Sequence, residues 1–109
     1  MTDPQDAYVV VDFWRATTAD THLLEGELTL LAAHFRRMPG VLSCDFTRMD
    51  DDAGDHRYMA VFRYADAAAR EAFVTDPTAA VSDSLTRLAA WWKLDSPIYR
   101  GEPLGETAL

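Results

Sequence analysis

One carboxylate stands out among the residues able to do chemistry. Asp12 lies between Val11 and Phe13 in the run YVVVDFWR (residues 8–15) and shares alternate positions with Tyr8, Val10 and Trp14. A strand sends alternate side chains to one face, so this carboxylate keeps largely apolar company. Desolvation penalises its charged form and raises its pKa toward the range useful for proton transfer. The plainer reading is a salt bridge to an arginine such as Arg63 or Arg100, or a place in water near a strand end. With matching strand parity, Trp14, Tyr58, Phe62 and Tyr64 line the same face. Aromatic walls with a few polar tips suit a flat, polycyclic, phenolic ligand; they serve equally as core between a sheet and its helices. The grouping depends on parity, because a slip of one residue exchanges every assigned face.

Other reactive side chains have two readings as well. His34 borders the apolar stripe of a helix on the side of Leu23, Glu27 and Leu30, where it either reaches a pocket as acid or base or hydrogen-bonds a neighbour at the edge of the core. Trp91 and Trp92 occupy adjacent helical positions, which point ~100° apart, and cannot both face inward. Trp92 continues a core stripe, while Trp91 closes one end of a pocket or packs on a partner subunit. His22 and His56 are expected in solvent. Cys44 lies mid-strand with no convincing histidine partner and reads as a small core residue. Residues 50–55 (DDDAGD) form a solvated turn: a calcium loop counted from Asp50 would need glycine where Asp55 stands and an acid where Val61 stands. There is no zinc spacing, glycine-rich phosphate loop or Ser/His/Asp arrangement. The chain has no asparagine and a single glutamine, Gln5, so side-chain amide chemistry in the interior is excluded.

The elements that must position these residues follow from periodicity. Residues 8–15 are β-branched and aromatic on both faces, a strand covered on both sides. Residues 17–20 offer helix-start side chains, and Leu24, Leu28, Leu31, Phe35 and Met38 then recur at intervals of four and three, ended by Pro39-Gly40. Residues 41–49 and 56–64 read as strands joined by the acidic turn. Asp66 caps an alanine-rich helix running to Phe73, and Asp76-Pro77 interrupts it. A second helical stretch carries Val81, Leu85, Leu88 and Trp92 on one stripe, and residues 96–100 form a short final strand. The order β-α-β-β-α-β is the split βαβ, or ferredoxin-like, arrangement: an α+β fold with a four-stranded antiparallel sheet and helices on one face. Residues 8–100 then make one domain, with flexible termini at 1–7 and 101–109. The far face would carry Val9, Val11 and Phe13, an apolar patch that a second copy could cover, so a homodimer is expected.

Composition bounds the partners. The 109 residues carry ten Lys+Arg against eighteen Asp+Glu, a net charge of −8. An acidic surface repels phosphate backbones and anionic lipid, so neither nucleic acid nor a membrane is an expected partner. No apolar run approaches the ~20 residues of a membrane span, and the acidic start lacks a signal peptide's basic region, which points to the cytoplasm.

Met38-Pro39-Gly40-Val41, the acidic hairpin, and the run from Val61 through Ala69 to Asp76-Pro77 resemble the antibiotic biosynthesis monooxygenase family over residues 8–100. The resemblance implies a dimeric α+β barrel whose ligand pocket lies inside each subunit, between the sheet and its own helices. It implies a cofactor-independent oxygenase, with no metal or organic cofactor, that converts an anthrone-like aromatic polyketide phenol to a quinone. Asp12 would be the base, the Tyr58 and Tyr64 hydroxyls would stabilise developing charge, and Trp14 and Phe62 would form walls, with His34 and Trp91 as further ligand contacts. The alternatives are a polyketide cyclase or isomerase using the same pocket without oxygen, and a non-catalytic binding or stabilising subunit. The family's anthrone oxygenases usually place a tryptophan at the end of the third strand and an asparagine four residues earlier; Tyr64 and Ala60 stand there in this chain. Haem-degrading members place an asparagine near the position of Asp12 and a histidine on the second helical region, and this sequence has neither.

Overall fold

The computed structural model describes residues 7–49 and 56–103. The acidic turn at 50–55 and the segments 1–6 and 104–109 lie outside the described residues. In chain order the elements are β1 (Tyr8–Ala16), α1 (Thr21–Arg36), β2 (Val41–Met49), β3 (Arg57–Tyr64), α2 (Ala67–Thr75), α3 (Ala79–Leu88), β4 (Trp92–Leu94) and β5 (Tyr99–Gly101). The described strands form one antiparallel sheet in the order β2-β3-β1-β4, with β5 also paired to β1. This is the ferredoxin-like arrangement, with the helices on one face.

Local chemistry explains the helix boundaries. Asp20 caps α1 by accepting from Leu23 N at 3.0 Å, Asp66 caps α2 through Ala69 N at 2.8 Å, and Thr78 caps α3 through Val81 N at 3.3 Å. Each cap satisfies an amide that the helix leaves unpaired. Leu24, Leu28, Leu31 and Phe35 of α1 are buried, and Met38 follows them into the core after the helix ends. They pack with Val81 and Leu88 of α3 and with Cys44, Tyr58 and Trp92 from the sheet. Each such apolar side chain contributes about 1.5–3 kcal/mol by leaving water. Gly40 turns the chain from α1 into β2 at φ +82°, a conformation that L side chains rarely adopt. It also lies under α2: a Cβ there would stand 2.6 Å from the Ala69 Cβ.

The β1–β3 register pairs Tyr8 with Tyr64, Val10 with Phe62, Asp12 with Ala60 and Trp14 with Tyr58, so all eight share one face. Cys44 and Phe46 of β2 continue that face, and the helices cover it. Val9, Val11 and Phe13 point the other way with Met59 and Val61, all partly exposed. Tyr99 of β5, 54% exposed, lies edge-on to Phe13 at 6.3 Å.

The C-terminal third departs from the periodicity reading. Trp92 is not on a helix: α3 ends at Leu88, a turn follows, and Trp92 opens β4 opposite Ala16. Spacing after Leu88 suits a helix, but stacking on the Trp14 indole at 4.3 Å and 16° places the Trp92 ring from a strand instead. Leu85, placed on the same core stripe, is 37% exposed. The final strand expected at 96–100 is the shorter β5, preceded by an additional strand, β4; Pro97 between them has no N–H to give the ladder. Asp95 N bonds Phe13 O at 2.8 Å and holds the break against β1. Order also extends slightly beyond 8–100, with Ala7 buried and Gly101 paired to Val9.

Candidate functional site

Asp12 sits near the middle of β1 with 6% of its surface exposed. Opposite it Ala60 brings only a methyl group, which leaves the carboxylate room among aromatic neighbours. Trp14, two residues along the same face, donates its indole Nε1–H to Asp12 Oδ1 at 2.6 Å. Burial raises the Asp12 pKa above its usual 3.8, against the opposing pull of the Trp14 hydrogen bond and the Arg70 charge. A buried carboxyl with an elevated pKa is suited to taking up and returning a proton.

Asp12 opens onto a cavity of about 160 Å³ between the sheet, α1, α2 and α3. Its walls include Trp14, Phe62, Tyr64, Phe35, Phe73 and Trp92. The rings brace one another: Phe35 meets Phe62 edge-on at 5.1 Å and Phe73 at 4.7 Å, and Phe62 lies beside Tyr64 at 6.4 Å. Leu85 and Ile98 complete the wall from α3 and from the segment between β4 and β5. Burial pushes the Tyr64 phenol up to about 12, opposed by Arg70, with Cys44 and Asp12 adding to the rise. It therefore stays protonated near neutral pH and can act as a donor.

Arg70 is the cation in this cavity, and it was not among the candidates drawn from the sequence. Its side chain comes from α2, with the guanidinium 5.8 Å from the Phe73 ring centroid. Asp12 does not pair with Arg63 or Arg100: Arg63 is in register with Val9 on the far face, and the charge felt by Asp12 is that of Arg70. The sequence held one signal for it. Arg70 is the lone basic residue of an alanine-rich helix and lies toward its N-terminus, where the helix dipole disfavours a cation.

The remaining candidates separate from Asp12. Tyr58 faces the same side as Trp14, yet its hydroxyl turns toward α1 and donates to Glu25 Oε2 at 2.9 Å. Arg48 Nη1 donates to the same oxygen at 3.4 Å. Tyr58 thus lines a second, larger cavity of about 420 Å³ between α1 and β2, with Arg36, Cys44 and Asp45. Burial and Glu25 raise its pKa to about 12. In that cavity the Tyr58, Glu25 and Arg48 polar groups bind one another, whereas the Asp12 cavity combines apolar walls with convergent polar groups. His34 is partly exposed on α1 and lines neither cavity. Trp91 packs at the edge of the core, its carbonyl accepting from Thr17 N at 2.6 Å, and also lines neither. Cys44 is buried, and desolvation pushes its thiol up to about 12, as for an inert core cysteine.

The chain has the fold of the antibiotic biosynthesis monooxygenase-like proteins. A protein of Chloroflexus aurantiacus that carries the name antibiotic biosynthesis monooxygenase superposes with a TM-score of 0.71 at 20% identity, over 94% of this chain and 97% of the other. SnoaB, a cofactor-independent oxygenase from Streptomyces nogalater, gives 0.70 at 20% identity over 93% and 99%. HapK from Hahella chejuensis gives 0.75 at 20% identity over 94% and 97%. No family model and no curated protein matches the sequence. No described helix is long and apolar enough to cross a membrane.

Proposed function

We propose that the Asp12 cavity is the active site of a cofactor-independent oxygenase acting on a planar phenol of the anthrone type. The observation that carries this reading is the buried, indole-bonded Asp12 carboxyl facing a cavity walled by aromatic rings. The likeness of the fold to SnoaB supports it. A cavity of ~150 Å³ with apolar walls holds one benzene ring. The cavity therefore accommodates one ring of a fused substrate, and the other rings extend beyond it.

The chemistry assigned to the residues is proton removal and charge stabilisation. Asp12 takes a proton from the acidic ring methylene of the substrate, and the carbanion delocalises onto the ring oxygen. The Tyr64 hydroxyl and the Arg70 guanidinium stabilise that oxygen's charge. The electron-rich carbanion reduces dioxygen, the C–O bond forms, and loss of water leaves a carbonyl. In sum one CH₂ and one O₂ give one C=O and one H₂O, the substrate supplying all four electrons. Tyr58 does not enter this scheme.

One observation favours a second reading. Ala60 stands where the resembling anthrone oxygenases carry asparagine, which suits a cyclase or isomerase whose enolate attacks a carbonyl instead of oxygen. An oxygen electrode separates the two. Purified protein with a simple anthrone, in air and anaerobically, is expected to take up oxygen in step with quinone absorbance. Anaerobic conversion to a non-quinone product would establish the cyclase instead. Saturable binding without conversion would leave only a binding subunit. We also propose that a second copy covers the outer apolar face of Val9, Val11, Phe13 and Tyr99, a homodimer that light scattering on the purified chain would register as twice the monomer mass.

A further inference from the structure

Arg70 has more hydrogen-bonding capacity than its surroundings use. Its Nε and Nη1 are buried and have no hydrogen-bond partner. Among the described residues it makes no ion pair, and Asp12 accepts from Trp14 instead. Burying charged donors without an acceptor is costly, so such an arrangement calls for an acceptor from outside the chain. Neighbouring acids do not supply one: Asp66 is committed to the Ala69 amide as the cap of α2. Placing the cation near the start of α2 adds an unfavourable interaction with the helix dipole. The fold nevertheless holds the residue in place, through the Phe73 ring beneath the guanidinium and through Ala69, which rides on Gly40.

We propose that Arg70 is the anion anchor of the Asp12 cavity. The site takes a planar aromatic or enolic ligand through an ionised oxygen, a carboxylate, phenolate or enolate, which accepts from the guanidinium donors left without a partner. The guanidinium fork presents parallel donors to such an oxygen group, and Asp12 and the Tyr64 hydroxyl meet the ligand's remaining polar edge. Ring size follows from the cavity, whose 160 Å³ encloses one six-membered ring. A neutral ligand of the same shape would offer these donors only an uncharged acceptor, the weaker partner for a buried cation. The inference rests on the Asp12 cavity being the ligand site, the premise of the proposed function, and not on oxygen chemistry.

Benzoate and benzamide test it, being nearly the same shape and differing in charge. Their binding is read by quenching of the Trp14–Trp92 fluorescence in the wild type, Arg70→Met and Arg70→Lys. The wild type should prefer benzoate by about tenfold or more, the discrimination one charge-assisted hydrogen bond provides. Arg70→Met should abolish that preference by weakening benzoate more than benzamide, and the saturable benzamide binding that remains shows that the cavity has survived the substitution. Arg70→Lys, with the charge but not the fork, should fall between. A preference unchanged in Arg70→Met, or a wild type that does not prefer benzoate or binds neither probe, would overturn the proposal. Benzoate preference with no oxygen uptake on an anthrone keeps the anchor and removes the oxygenase reading; uptake without the preference does the reverse.

Discussion

Replacing Asp12 by Asn removes the charge and keeps the shape, so it isolates the cost of burying this carboxylate. The Asn Oδ1 can still accept from the Trp14 Nε1, which bonds Asp12 at 2.6 Å. Burial outweighs both opposing influences, and the folded-state pKa stands above the ordinary 3.8. For an acid raised in this way, the stability contribution is full below the unfolded pKa, declines as pH climbs through the folded pKa, and stays low above it. Each unit of elevation removes about 1.4 kcal/mol at neutral pH. Asn behaves as a carboxyl that never ionises. Asp12→Asn should therefore match the wild type below about pH 4 and exceed it near pH 8, by about 1.4 kcal/mol for every unit of elevation. Urea unfolding followed by tryptophan fluorescence across that range gives the difference between the two proteins, in which the other carboxylates cancel. The same variant should lose about 10²–10⁴ of its oxygen uptake, the contribution of a general base. A variant equal to wild type in acid but weaker near pH 8 would mean the carboxylate is held by a strong partner, refuting the desolvation argument. Undiminished turnover would refute the role as base.

Two further outcomes follow from the packing. Gly40→Ala combines a positive φ with a Cβ 2.6 Å from that of Ala69, and should cost about 1–3 kcal/mol in the same unfolding assay, with benzoate affinity falling because α2 carries Arg70; an unchanged midpoint would show that the turn adapts. Tyr58→Phe removes the 2.9 Å bond to Glu25 and should cost about 0.5–1.5 kcal/mol while oxygen uptake stays at the wild-type rate; loss of uptake would return Tyr58 to the reaction.

Periodicity and caps made much of the architecture legible. The α1 stripe from Leu24 to Phe35, the stop at Pro39-Gly40 and the Asp66 cap depend on neighbours within a few residues, and a reading of local spacing recovers them. Strand alternation likewise grouped Asp12, Trp14, Tyr58, Phe62 and Tyr64 on one face. It could not divide them. Trp14 and Tyr58 are directly opposite in register, yet the indole leans to Asp12 and the phenol to Glu25.

By itself, then, the sequence determined the order of elements from β1 to α2, the stop of α1, the start of α2 and the face on which Asp12 lies, because each is set by spacing along the chain. Tertiary structure decided the rest. Trp92 leaves the helical stripe because the Trp14 ring offers a stacking surface that no local propensity registers. Arg70 enters the site because Gly40 lets α2 settle against the turn after α1, bringing a residue 58 positions away in sequence to the cavity of Asp12. Which polar groups share a cavity depends on how side chains lean and how helices dock, and those follow from packing between distant segments.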